Sequence, residues 1–180
     1  MAVSASYYVA VGDNGAVLRS SDGVSWTAQT AFTSSNLLGI YYNSIDSKFY
    51  AVGVGGIMFT SSDGASWTQI TTNTSSDLYS VAASADDVRV AVGANGTIIE
   101  STDGTTWTVQ SSPTTQTLYA AAWGSQFEAV GAGGVVLNGT TTGTVWTTAN
   151  SGVTSDLYAL TFAYYRLLAV GAAGVNTLSY

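Results

Sequence analysis

The sequence predicts an all-β protein built from five repeats of about 40 residues each. The tripeptide Ala-Val-Gly occurs at 10–12, 51–53, 91–93, 129–131 and 169–171, with successive spacings of 41, 40, 38 and 40. Trp-Thr pairs at 26, 67, 107 and 146 keep nearly the same spacing. The composition favours strands, since the chain has one proline and few good helix formers. A period near 40 in a β-rich chain is typical of a propeller with one four-stranded blade per repeat. We therefore predict a five-bladed β-propeller.

The third repeat illustrates how one blade is formed. Short apolar or alternating segments of four to six residues are separated by Gly, Asn and Asp clusters, which are turn signals. The predicted strands are A at 78–82, B at 88–92, C at 97–100 and D at 106–110. Isolated hairpins are marginal in water, so the blades must bury their faces on one another.

The repeats predict a single propeller domain over residues 1–180, with blades at about 1–35, 36–76, 77–116, 117–155 and 156–180. The last repeat stops after strand C, so we expect the last blade to lack its outer strand. A strand edge without a neighbour presents unpaired N–H and C=O groups. We therefore expect a protein partner, or other copies of the chain, to cover residues 175–180.

The charge balance argues against nucleic acid and anionic membrane as partners. Four Lys and Arg residues stand against eleven acids, for a net charge of −7. Nucleic-acid binding needs a dense basic surface to neutralise phosphates. No apolar run approaches the roughly 20 residues of a membrane-spanning helix, so we expect no membrane insertion. Residues 1–12 lack a charged leader, and we expect no signal peptide.

The chain contains no histidine and no cysteine. Imidazole acid–base catalysis, thiolate chemistry, disulfides and His or Cys metal sites are therefore excluded. Asp13-Asn14 and Asp86-Asp87 lack the ligand spacing of a calcium loop, so solvated turns are the favoured interpretation. We predict no cofactor and no metal.

A short string ahead of each tryptophan is the best-defined motif. It reads SSDGVSWT at 20–27, SSDGASWT at 61–68 and STDGTTWT at 101–108, and a degenerate copy at 140–146 has Thr142 in place of the Asp. An Asp in such a turn accepts hydrogen bonds from backbone N–H groups two residues on, while the following Gly relieves backbone strain. The three aspartates lie about 40 residues apart, on separate blades, and would not converge on one substrate atom. They are predicted to be structural.

These strings resemble the Asp-box, or BNR-type, repeat of propellers, whose usual form is Ser-x-Asp-x-Gly-x-Thr-Trp, although the spacing here is one residue shorter. Similar repeats occur in sialidases and in a photosystem II assembly factor. The resemblance implies structural turn caps at Asp22, Asp63 and Asp103, with Thr142 as a weak substitute. It also implies that the tryptophans fill the blade cores, and these are Trp26, Trp67, Trp107 and Trp146.

The resemblance does not extend to sialidase activity. Those enzymes hold the substrate carboxylate with an arginine triad, whereas Arg19, Arg89 and Arg166 do not occupy equivalent positions in their repeats. No Ser-His-Asp triad or phosphate-binding loop is present. We predict that the chain is not an enzyme.

Two sets of aromatic residues stand outside the boxes. Tyr79, Tyr119 and Tyr158 occupy one equivalent position in strand A, where the second repeat has Leu38. A second set lies near the turns between strands A and B, and it includes Tyr41, Tyr42, Trp123, Tyr164 and Tyr165. Filling of the core and rim is one interpretation of these side chains. The other is that the second set forms stacking platforms for sugar rings.

The favoured function is a noncatalytic structural or attachment propeller in a virus particle, such as a phage capsid decoration or tail component. The alternative is a multivalent carbohydrate-binding lectin, which would gain strength from repeated shallow pockets. The first hypothesis implies a virion location, and the second an extracellular or cytoplasmic soluble protein.

Overall fold

The computed structural model describes residues 1–163 and 166–179. It contains five successive antiparallel sheets, each a simple meander, and confirms the all-β propeller class. The first four sheets have four strands, and the fifth has three strands within the described residues, as the repeat pattern predicted. The chain divides into two compact units, residues 1–78 and 79–180, so the single domain of 1–180 stays a prediction.

The first unit contains two sheets, which correspond to the first two repeats. Their strands are β1 Ala2–Val3, β2 Tyr8–Val11, β3 Val17–Ser20, β4 Thr27–Ala28, β5 Leu37–Asn43, β6 Lys48–Gly53, β7 Met58–Ser61 and β8 Thr68–Ile70. Apolar residues of both sheets form one cluster, in which Val9 and Val17 of the first sheet accompany Phe49, Ala51 and Phe59 of the second.

The remaining strands form three sheets, and the division between the units falls at the start of β9. These strands are β9 Leu78–Ala83, β10 Arg89–Gly93, β11 Ile98–Ser101, β12 Thr108–Val109, β13 Leu118–Trp123, β14 Phe127–Gly131, β15 Val136–Gly139, β16 Trp146–Ala149, β17 Leu157–Ala163, β18 Arg166–Gly171 and β19 Asn176–Ser179. Strand D of the third repeat is shorter than predicted, because the backbone N–H of Thr106 binds the Asp103 side chain instead of a neighbouring strand.

The second strand of each sheet carries much of the core. Val90 and Val92 of β10 belong to one cluster with Phe127, Ala129 and Leu137 of the next sheet. Val130, which follows Ala129 on β14 and so faces the other side of the fourth sheet, packs instead with Leu157 and Ala169 of the fifth sheet. β6, β10 and β14 are therefore buried on both faces, whereas β18 of the last sheet exposes Leu168 and Val170. The Ala-Val-Gly repeat supplies small residues where neighbouring sheets approach.

A tight helical turn follows the glycine of each Ala-Val-Gly tripeptide, and its last residue is always glycine. Gly134 has a φ of +74°, and a Cβ atom there would overlap the carbonyl oxygen of Val153. The preceding residue, Gly133, also has a positive φ of +65°, but no atom lies within 4 Å of the place where its Cβ would stand. Asn14 and Asn95 occupy the same position in other repeats, with φ values of 54° and 57°.

We expect Gly134→Ala to destabilise the fold by more than the roughly 1–2 kcal/mol that a left-handed residue costs, because a steric clash adds to that cost. The control is Gly133→Asn, which places the residue found at two equivalent sites into open space. Its expected change is within about 0.5 kcal/mol. Chemical denaturation measures both, and equal stabilities would contradict the close approach to Val153.

Candidate functional site

The three aspartates predicted as turn caps accept hydrogen bonds from their own hairpins. Asp22 Oδ1 accepts from the backbone N–H groups of Val24 and Ser25, at 2.8 and 2.7 Å, and from the Ser20 hydroxyl at 2.9 Å. The Ser20 hydroxyl oxygen in turn accepts from the backbone N–H of Gly23 at 2.9 Å. One carboxylate and one hydroxyl therefore satisfy the backbone donors of a whole turn.

The same bonds recur in the second and third hairpins. Asp63 Oδ1 accepts from the N–H groups of Ala65 and Ser66, both at 2.8 Å. Asp103 Oδ1 accepts from those of Thr105 and Thr106, at 2.7 and 2.6 Å. The serine two residues before each Asp, Ser61 or Ser101, donates to the same carboxylate oxygen.

These hydrogen bonds favour the ionised carboxylates. Bonds from the Ser25 and Val24 backbone lower the pKa of Asp22 from 3.8 to about 2. Backbone bonds from Ser66 and Ala65 likewise lower the pKa of Asp63. Those from Thr106 and Thr105 lower the pKa of Asp103. Carboxylates held in this way are poor proton donors and acceptors near neutral pH, which fits a structural role better than general acid–base catalysis.

The hairpin of the fourth blade differs from the prediction for Thr142. Its strands pair further along, with Gly139 opposite Trp146, and the N–H of Thr140 donates to the carbonyl of Val145 at 2.9 Å. The Thr142 hydroxyl lies near two other hydroxyls, 3.1 Å from that of Thr140 and 2.8 Å from that of Thr144. The N–H of Val145 is equivalent to one that an Asp binds in the other three hairpins, and here it donates to the Thr140 hydroxyl at 3.4 Å.

The four tryptophans are not equally buried. Trp107 and Trp146 are buried, with 1% and 6% of their surface exposed. Trp67 is half-buried and stacks on Phe32, with ring centroids 5.1 Å apart. Trp26 is also half-buried and meets the edge of Tyr8. The Trp146 indole N–H donates to the carbonyl of Gly143, inside its own turn, at 2.8 Å.

Two of the predicted stacking residues pack on the core. The ring of Tyr42 lies 4.8 Å from that of Phe49, and Trp123 lies 4.7 Å from Phe127. Tyr41 is half-buried. Tyr164 and Tyr165 lie outside the described residues. The packing of Tyr42 and Trp123 supports the interpretation that these side chains fill the core.

The strand-A tyrosines form a row of contacting rings. The ring centroid of Tyr119 lies 5.7 Å from that of Tyr79 and 5.4 Å from that of Tyr158. The strand pairing shifts between Leu118 and Ala120, and again between Leu157 and Ala159, which makes Tyr119 and Tyr158 the extra residues of β-bulges. Bulges re-aim side chains, and Tyr158 is 53% exposed. Among the described residues, no hydrogen bond reaches the three phenol groups.

Side chains just before strand A link neighbouring blades, and the sequence prediction missed them. The Asn36 side-chain oxygen accepts from the backbone N–H of Asn14 at 2.9 Å. In the same way, Asp77 Oδ1 accepts from the backbone N–H of Gly55, and Asp156 Oδ1 accepts from the backbone N–H of Gly133, both at 2.8 Å. Asn or Asp directly before the first leucine of strand A is the signal that would have indicated this link.

Three other acids have environments different from those of the hairpin aspartates. Burial is the main cause that raises the pKa values of Glu100 and Glu128. Asp87, in one of the turns considered for calcium, instead binds the Arg89 guanidinium at 2.8 Å. Within residues 1–163 and 166–179, no group of three or more acids could hold a metal ion, and no helix is long and apolar enough to span a membrane.

The hairpin bonds predict unequal effects of two substitutions. Asp63→Ala leaves the N–H groups of Ala65 and Ser66 without their acceptor, and we expect a loss of about 1 kcal/mol, the usual cost of losing a side-chain cap. Thr142→Ala removes contacts between hydroxyls only, and its expected effect is within about 0.5 kcal/mol. Urea denaturation measures both, and an equal loss in the two variants would contradict the difference between the hairpins.

Solved structures similar to the chain include propellers. YCF48 bound to D1 peptide has a TM-score of 0.74 and 18% identity over 98% of this chain and 60% of that one. A catalytically inactive virginiamycin B lyase from Staphylococcus aureus with quinupristin has a TM-score of 0.76 and 14% identity, over 94% of this chain and 68% of that one. The WD40 propeller domain of Doa1 has a TM-score of 0.77 and 15% identity, over 99% of this chain and 62% of that one. The chain thus spans about three-fifths of the YCF48 and Doa1 chains, and these likenesses show the fold.

No curated protein matches the chain. The sequence model of one domain family does match, over residues 57–163, which is more than half of the chain. That segment includes the boxes of the second, third and fourth repeats and the tyrosine row up to Tyr158. The chain belongs to the DUF6242 β-propeller domain family.

Proposed function

We propose that the chain is a noncatalytic binding domain that holds a segment of another polypeptide against the row formed by Tyr79, Tyr119 and Tyr158. The observation that carries the proposal is the contact between these rings along three successive blades, at centroid distances of 5.7 and 5.4 Å. Tyrosine is enriched in protein interfaces because it buries a large ring at a small cost in conformational entropy.

The row is held in place by the strands beneath it. The Ser80 hydroxyl accepts a hydrogen bond from the backbone N–H of Ala121 at 3.2 Å, which joins strand A of the third blade to strand A of the fourth beside the tyrosines. Preorganised side chains lose less freedom when a partner binds, so a rigid row favours affinity.

The phenol groups supply hydrogen bonds as well as apolar surface. Burial, together with the nearby Asp156 and the two neighbouring tyrosines, raises the pKa of Tyr119. A tyrosine hydroxyl is protonated at neutral pH with or without this shift, and it can both donate to a peptide carbonyl and accept from a peptide N–H. That combination suits an extended polypeptide segment. The D1 peptide in the YCF48 structure supports a ligand of this kind for a similar propeller.

Two finer hypotheses accompany the proposal. The hydrogen bonds of Asp22, Asp63 and Asp103 support an Asp-box type of propeller. Attachment within a virus particle is motivated by the hydroxyl-rich composition without His or Cys, and neighbouring capsid, portal or tail genes would support it. A partner at residues 175–180 stays a prediction, and residue 180 lies outside the described residues.

Selection from a random peptide library displayed on phage tests the proposal. We expect enriched peptides to bind the wild-type chain and to lose at least about tenfold in affinity for Tyr158→Ala, since truncation of an interface tyrosine commonly costs more than 1 kcal/mol. Tyr158→Phe, which keeps the ring, should lose less. The matched control is Val109→Ala, which trims a side chain that is 50% exposed on β12.

Three results would contradict the proposal. The first is that no peptide is enriched, and the second is that enriched peptides bind Tyr158→Ala and Val109→Ala equally well. The third is saturable binding on a glycan array that Tyr158→Ala abolishes, which would favour the lectin hypothesis instead.

A further inference from the structure

A polar depression lies on the first blade, within the first unit of the chain. Its volume is about 350 Å³. It is lined by one cation, one aromatic ring and several neutral polar groups, and its lining includes Tyr7, Arg19, Ser21, Ser25, Thr27 and Gln29. The function proposed above does not use this depression, since the tyrosine row belongs to the other unit.

Arg19 is the chemically distinctive member of this lining. Its guanidinium carbon lies 3.5 Å from the centroid of the Tyr7 ring, an arrangement in which the aromatic face attracts the cation. The stacked ring orients the planar guanidinium and covers one of its faces. The edge of the guanidinium, which carries its N–H donors, is not used by this contact.

One buried donor of Arg19 is unfilled. Its Nε atom is buried, and no atom in the described part of the chain accepts a hydrogen bond from it. An unpaired buried N–H group is costly. The fold itself supplies Nε with no acceptor, and the depression gives a ligand access to the Arg19 side chain that lines it. Arg89, by contrast, is paired with Asp87.

The nearby acids already bind other groups. The charge on Arg19 is one of the smaller causes that lower the pKa of Asp63, yet the Oδ1 atom of Asp63 accepts from the backbone of Ala65 and Ser66. Asp22 is held in the same way by Val24 and Ser25. The Asp63 carboxylate offsets part of the positive charge but does not occupy the guanidinium.

We propose that Arg19 binds a carboxylate of a polypeptide, supplied by an acidic side chain or by a chain terminus. A guanidinium matches the two oxygens of a carboxylate with two parallel hydrogen bonds. Arg19 is the one cation in the lining of the depression, and it can balance one negative charge. A phosphate dianion carries two, and it would need a second cation on a chain whose net charge is −7. The exposed hydroxyl groups of Ser21 and Thr27 supply further donors at the rim.

Titration of the full chain, observed by NMR at the Arg19 Nε–H group, tests the proposal. The probes are the capped peptide acetyl-Gly-Glu-Gly-amide, its Gln counterpart, and acetyl-Gly-Gly-Gly with a free terminal carboxylate. We expect a saturable shift with at least one carboxylate peptide and none with the Gln peptide. The carboxylate peptide that binds more tightly identifies the source.

Substitutions separate the site from general charge effects. Arg19→Gln should weaken binding at least about tenfold, the loss expected for a charge-assisted pair. Lys48→Gln changes the net charge equally and should stay within about twofold of wild type. Arg19→Lys keeps the charge but not the paired donors, so it should bind several-fold more weakly and serves if Arg19→Gln fails to fold.

Several results would overturn the assignment. They are equal responses to the Glu and Gln peptides, wild-type affinity in Arg19→Lys, and a similar loss in Arg19→Gln and Lys48→Gln. Tighter binding of inorganic phosphate than of either carboxylate peptide would also overturn it.

Discussion

Hydrogen bonds from backbone N–H groups to short side-chain oxygens are the interaction on which the blades depend. A propeller blade turns back on itself three times in about 40 residues, and each turn leaves donors that strand pairing cannot satisfy. The chain meets this need with Ser and Asp inside the hairpins and with Asn or Asp between blades. These residues are compact enough to act within a tight turn, which explains how a chain with few charges forms regular structure.

This use of the carboxylates also decides what chemistry is left for function. Two backbone N–H groups of its own hairpin hold each of the carboxylates of Asp22, Asp63 and Asp103. This geometry fits a structural cap better than a catalytic acid or base. The groups whose hydrogen-bonding capacity is not consumed by the fold are different ones. Among the described residues they include the phenol groups of the tyrosine row and the guanidinium of Arg19. Both are residue types that interfaces favour, and both point to recognition of polypeptide.

The sequence predicted the regular part of the fold because the period appears in two independent markers. The strand order followed from the turn residues, and the equivalence of Tyr79, Tyr119 and Tyr158 followed from their place in the repeat. The fourth hairpin was not predictable in the same way, since its strands keep the register of the other hairpins but continue pairing as far as Gly139 opposite Trp146. The contacts of the tyrosines depend on bulges, and that of Arg19 on Tyr7 joins strand β3 to a residue before β2. Neither feature has a local sequence signal.

The pKa of the Asp22 carboxyl group in the folded chain tests the account most directly. NMR titration of its carboxyl carbon measures that value without any substitution. Because backbone hydrogen bonds favour the charged form, we expect a pKa of about 2 in place of the ordinary 3.8. The bonds then stabilise the fold at a pH above the ordinary pKa of 3.8, and that contribution is lost as the pH falls through the lowered pKa of about 2. A pKa at or above the ordinary value would show that the backbone does not hold the carboxylate, and would contradict the account.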